Sequence, residues 1–73
     1  MTKTIEITDA RQVERINELA VHTPYEVWLT DDTVMLDARS LLGLFALIGK
    51  RVNVVADDAV SDRAFTRLVK KMM

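Results

Sequence analysis

Apolar positions recur along this chain with two spacings, every second residue and every third or fourth, and the switches between them lay out the elements. Residues 2–8 alternate polar and apolar, with Ile5 and Ile7 on one side, which predicts a half-buried strand. Asp9, or Thr8, is placed to cap a helix running to about Val21. In that helix Ala10, Val13, Ile16, Leu19 and Ala20 form the inward stripe, while Arg11, Glu14, Arg15 and Glu18 form the wet side. Thr23-Pro24 ends the helix, because proline disfavours the α region for the residue before it. Alternation resumes over residues 25–30, with Tyr25, Val27 and Leu29 facing one way and Glu26, Trp28 and Thr30 the other. Asp31-Asp32 reads as a tight turn and residues 33–36 as a third strand, so 25–36 is predicted to be a hairpin.

Residues 37–49 break both patterns. Asp37 and Ser40 supply helix-capping chemistry, and Gly49 tolerates the left-handed conformation past a helix end. Between them Leu41, Leu42, Leu44, Phe45, Leu47 and Ile48 point in nearly every helical direction. One sheet cannot cover a helix that is apolar all round, so part of it is sandwiched or meets another molecule. Leu44, Leu47 and Ile48 are expected to be buried. Leu41, Leu42 and Phe45 cluster at i, i+1 and i+4 and are expected to share a solvent-facing patch for a partner. The run is far too short to span a bilayer.

Residues 51–56 predict a fourth strand, and Asp57-Asp58 the start of a last helix with Ala64, Phe65, Leu68 and Met72 on its buried face. Acids lie early in it (Asp57, Asp58, Asp62) and bases late (Arg63, Arg67, Lys70, Lys71), as the helix dipole prefers. The order β-α-β-β-α-β-α predicts an α+β fold, an open antiparallel sheet with its helices on one face. Trp28 then lies on the open face, where beside Val55 or Met35 it is a candidate oligomer contact, as in a homodimer.

Seventy-three residues make one domain, 1–73, with no repeat and no linker. A chain this short buries only about 60% of its unfolded surface, so its stability margin is thin. The formal charge of −1 gives no polyelectrolyte reason to bind nucleic acid or a membrane. The absence of cysteine removes disulfides, thiolate metal sites and a cysteine nucleophile. Residues 1–23 lack the apolar core and cleavage site of a secretion signal, which leads us to expect a cytoplasmic protein.

Element order, lengths and above all Asp37-Ala38-Arg39-Ser40-Leu41-Leu42-Gly43-Leu44 resemble HPr, the small phosphocarrier of the bacterial sugar phosphotransferase system. In that family a basic residue and a serine precede a short leucine-rich helix. The resemblance continues through the fourth strand to Leu68-Val69-Lys70-Lys71-Met72. It implies an open-faced β-sandwich, a four-stranded antiparallel sheet with three helices on one face. It also implies partners among phosphotransferase-system or regulatory proteins, a kinase-modified serine at Ser40, and a contact surface at Leu41, Leu42 and Phe45.

The family's working loop is missing. HPr joins its first strand to its first helix through Gly, the phosphoacceptor His, a nearby Arg and a Pro, so that the helix N-terminus receives the phosphate. Here Ile7-Thr8-Asp9-Ala10-Arg11 passes almost directly from strand to helix, and Asp9 stands where an anion is repelled. The only histidine, His22, falls at the other end of that helix, where it complements the dipole. Asp31-Asp32 and Asp57-Asp58 are explained by turns and caps, with no third ligand spaced to hold a metal. The reading is a non-catalytic HPr-like domain that binds proteins, with no cofactor and no enzymatic activity. The alternatives are a phosphocarrier using an unexpected residue and a regulator phosphorylated on Ser40, for which an ordinary N-cap is the plainer role.

Overall fold

The computed structural model describes all residues, 1–73. The chain runs β1 (Thr2–Glu6), α1 (Ala10–His22), β2 (Val27–Thr30), β3 (Met35–Asp37), α2 (Leu41–Phe45), β4 (Arg51–Ala56) and α3 (Asp62–Met72). The strands form one antiparallel sheet in the order β1-β4-β2-β3. Ile5 pairs with Val52 and Leu29 with Val54, two rows that give the sheet one apolar face beneath the helices. The β1 ladder continues past its end: Ile7 donates to the Lys50 carbonyl at 3.0 Å and accepts from Gly49 N–H at 2.7 Å. Gly49 has φ +88°, the left-handed conformation expected of it, and there the chain reverses from α2 into β4.

The core lies between sheet and helices. Phe65, Ile7, Ile16, Leu29, Leu44 and Leu47 are among its fully buried side chains. α1 is the helix against which both α2 and α3 pack. Its end is as read from Thr23-Pro24: Thr23 is extended, with φ −84° and ψ 133°, and its hydroxyl returns to the Leu19 carbonyl at 2.6 Å.

Several boundaries and facings differ from the sequence reading, each for a local reason. β3 starts at Met35, because Asp31 Oδ1 accepts the N–H groups of Thr33 (2.8 Å) and Val34 (2.9 Å) and holds both in the loop. Tyr25 precedes β2 instead of belonging to it and lies half-buried against the core. α3 begins at Asp62, with Ser61 as its cap accepting from Ala64 N–H at 3.3 Å. Asp57 and Asp58 lie in a preceding turn in which Asp57 Oδ1 accepts from Ala59 N–H. The α3 stripe is Phe65, Leu68, Val69 and Met72, a 3,4 pattern that leaves Ala64 exposed at its margin. Ala10, in the first turn of α1, is also exposed, and Gln12 takes the inward place. Ile48 is 37% exposed, because α2 stops at Phe45 and gives way to turns.

Candidate functional site

The entrance of α1 is closed by its own side chains. Asp9 is extended (φ −157°, ψ 174°), and its Oδ1 accepts the Gln12 N–H at 2.9 Å. Gln12 Oε1 in turn accepts from Thr8 N–H at 2.8 Å and from the Thr8 hydroxyl at 3.0 Å. Its Nε2 donates to the carbonyls of Glu6 (2.8 Å) and Met72 (3.1 Å). Gln12 is 4% exposed, the only buried polar residue, and every polar atom of its amide is used. This is a variant of the capping box, with Asp at the cap and Gln three residues on. That spacing is present in Asp9-Ala10-Arg11-Gln12, and reading the helix only for its apolar stripe misses it. The result is a fixed carboxylate at the positive end of the helix dipole, where it competes with any incoming anion.

His22 stands at the other end of α1, about 20 Å away at 1.5 Å per residue. It is exposed, and its Nε2 meets Glu18 Oε1 at 2.9 Å across one helical turn. The structure therefore does not bring the histidine to the helix entrance.

The segment before α2 is held from three sides. Arg39 donates from its backbone N–H and Nε to Asp37 Oδ1 at 2.9 and 3.0 Å, and from Nη2 to Asp37 Oδ2 at 2.6 Å. These bonds hold the Asp37 carboxyl down at about 2, with the Arg39 side chain as the larger cause and its backbone N–H next. The same pairing pushes Arg39 upward. Asn17 of α1 donates to the Arg39 carbonyl at 2.9 Å and ties the loop to the helix layer. The Gly43 backbone lies so close to Ser40 and Leu36 that a β-carbon there would sit 3.2 Å from Ser40 Oγ.

Ser40 occupies the N-cap position of α2, but its hydroxyl makes no capping hydrogen bond, contrary to the capping role expected of it. Leu41, Leu42 and Phe45 are 38%, 85% and 37% exposed, and Ile48 lengthens the apolar run. Leu44 and Leu47 are buried beneath them.

On the open sheet face, Trp28 is half-buried and lies across from Val55 on one side and Asp37 on the other. The next row places Thr4, Asn53, Thr30 and Met35 side by side, with the Thr4 hydroxyl donating to Asn53 Oδ1 at 2.8 Å. Arg51 and Glu6 close the far corner as an ion pair at 2.9 Å. The apolar part of this face is thus Trp28, Val55 and the exposed Met35.

No family model and no curated protein matches the chain. Solved structures do. HPr-C-His from Thermoanaerobacter tengcongensis is 24% identical with a TM-score of 0.76, over 99% of this chain and 90% of that one. Phosphocarrier protein HPr from Bacillus anthracis str. Ames is 18% identical with a TM-score of 0.69, over 100% of this chain and 96% of that one. At these identities the likeness is one of fold.

Proposed function

We propose that this chain, which has the HPr fold, is a non-catalytic protein-binding and regulatory domain related to the sugar phosphotransferase system. In this reading it does not carry phosphate on histidine. The observation that carries the reading is the closed entrance of α1. A phosphocarrier needs an imidazole beside free N–H groups at the positive end of a helix. Here that end holds Asp9, locked by Gln12, and His22 lies at the far end of the helix, paired with Glu18. The patch of Leu41, Leu42 and Phe45 supports protein binding, because Leu42 gives up most of its surface to water with no return in the folded domain. The partners are phosphotransferase-system or regulatory proteins of the cytoplasm.

The test separates folding from binding. Leu42→Ala and Phe45→Ala are purified, melted and used to retrieve partners from cell extract beside the unaltered chain. Both variants are expected to stay folded and to lose the partner. If both unfold, the patch is core and the reading fails.

A second reading has an observation of its own. Ser40 is exposed and its hydroxyl is free of a capping bond, so a kinase acting there breaks no cap. Its phosphate would stand beside Leu41 and Leu42 and alter partner choice without unfolding the domain. Detection of phosphate on Ser40 in the cell, and a change in partner affinity with Ser40→Asp, supports that reading; an unmodified Ser40 opposes it. Self-association is proposed through Trp28 with Val55 and Met35, and a concentration-independent monomer mass by light scattering contradicts it.

A further inference from the structure

A groove of about 440 Å³ runs between the C-terminal end of α1 and the middle of α3, at a place that neither the α2 patch nor the α1 entrance includes. Its floor is apolar: Leu19, Pro24, Tyr25 and Leu68 line it, and only Leu68 among them is buried. Its rim is cationic. Arg67 and Lys71 border it from α3, and neither appears in any of the chain's salt bridges. The one acid on the rim, Glu18, is already engaged with His22. Arg63 and Lys70 continue the exposed basic face along α3, again without an ion pair. The walls are fixed in place, because Arg15 of α1 donates to the carbonyls of Lys71 (3.1 Å) and Met73 (3.0 Å).

We propose that this groove is a second docking site, and that its occupant is an acidic segment of a partner protein carrying an apolar side chain. Charge complementarity selects the sign: both bases on the rim, Arg67 and Lys71, stay unpaired, while its one acid, Glu18, is engaged. The floor favours a peptide over nucleic acid, since of its four apolar residues only Tyr25 offers a face on which a base stacks, while Leu19, Pro24 and Leu68 suit apolar side chains. The depth selects a peptide over a small molecule. Small-molecule sites enclose most of their ligand, and a groove whose Pro24, Ala64, Arg67 and Lys71 are all exposed does not. Asn17 and Arg15, two positions apart on α1, reach the α2 entrance and the α3 end respectively. Residues so spaced point to nearly opposite sides of a helix, so the two docking sites lie on different flanks of α1 and admit two partners at once.

The experiment titrates the full chain with a short labelled peptide of glutamate and aspartate that includes one phenylalanine and one leucine. Controls are the same peptide with alanine for both apolar residues and a single-stranded DNA of equal charge. Amide NMR shifts map where each binds. The acidic-apolar peptide is expected to shift Leu19, Tyr25 and Leu68, to bind more tightly than both controls, and to weaken roughly ten-fold or more in Arg67→Glu/Lys71→Glu. Leu42→Ala should leave that affinity unchanged, which separates this site from the α2 patch. The proposal is overturned if the shifts fall elsewhere, if the charge reversal leaves affinity intact in a folded variant, or if DNA or the alanine peptide binds equally well.

Discussion

At the start of α1 a carboxylate and a carboxamide tie the chain to itself, whereas at the start of α2 a serine hydroxyl stays free and leucines stand in water. The first arrangement buries Gln12 with every polar atom satisfied and joins α1 to the end of β1, at Glu6 and Thr8, and to the end of α3, at Met72. The second leaves Leu42 85% exposed above the buried Leu44 and Leu47. An HPr-like chain needs its first helix entrance open to do phosphate chemistry. Here that entrance is a structural joint, and the exposed leucines stand on the neighbouring helix. The difference separates residues that hold the fold from residues available to other molecules, and substitutions can test it position by position.

Leu44→Ala should have the largest effect. It opens a cavity in the middle of the core and should cost about 2–5 kcal/mol in chemical denaturation, enough to unfold much of so small a domain. Gln12→Ala comes next. It strips partners from the carbonyls of Glu6 and Met72 and from Thr8 N–H, at about 1–3 kcal/mol, chiefly for the Met72 carbonyl left buried and unpaired. A cost no greater than that of an ordinary surface change would mean the entrance is not the joint described here. Asp9→Ala removes the cap proper and should cost about 1 kcal/mol.

Acid offers a gentler probe. Asp31 is held down at about 2, chiefly by the backbone N–H groups of Thr33 and Val34, and Asp37 at about 2 by Arg39. Both folded values lie below the ordinary 3.8, so their contribution is fully present above that value and is lost as pH falls from it toward about 2. Denaturation midpoints should fall across that window, and Asp37→Asn or Asp31→Asn should flatten the slope. The smallest effect belongs to Leu42→Ala, expected within about 0.5 kcal/mol of the unaltered chain.

The parts legible in the sequence are those set by short-range patterns. Alternation over residues 2–8 and 51–56, the Thr23-Pro24 stop and the Gly49 reversal all follow from local sterics and periodicity, and the structure has them. What was not legible depends on groups far apart or on single side chains taking turn N–H groups. Gln12 looks like a surface residue until Met72, at the other end of the chain, supplies its acceptor. The late start of β3 follows from one carboxylate, Asp31, and that of α3 from Ser61 capping in place of Asp57 or Asp58. At the candidate site, Leu41, Leu42 and Phe45 could be singled out from spacing and resemblance. The bracing of the loop before them by Asn17 could not, since it forms only when α1 packs against that loop.

The central claim is that the α1 entrance has lost phosphate chemistry, and intact-mass measurement tests it most directly. The chain is incubated with phosphoenolpyruvate and the phosphotransferase enzyme I, beside an HPr that is known to accept phosphate. The account predicts an unchanged mass for this chain while the control gains one acid-labile phosphate. An acid-labile gain of one phosphate on this chain, abolished by His22→Ala, would contradict it.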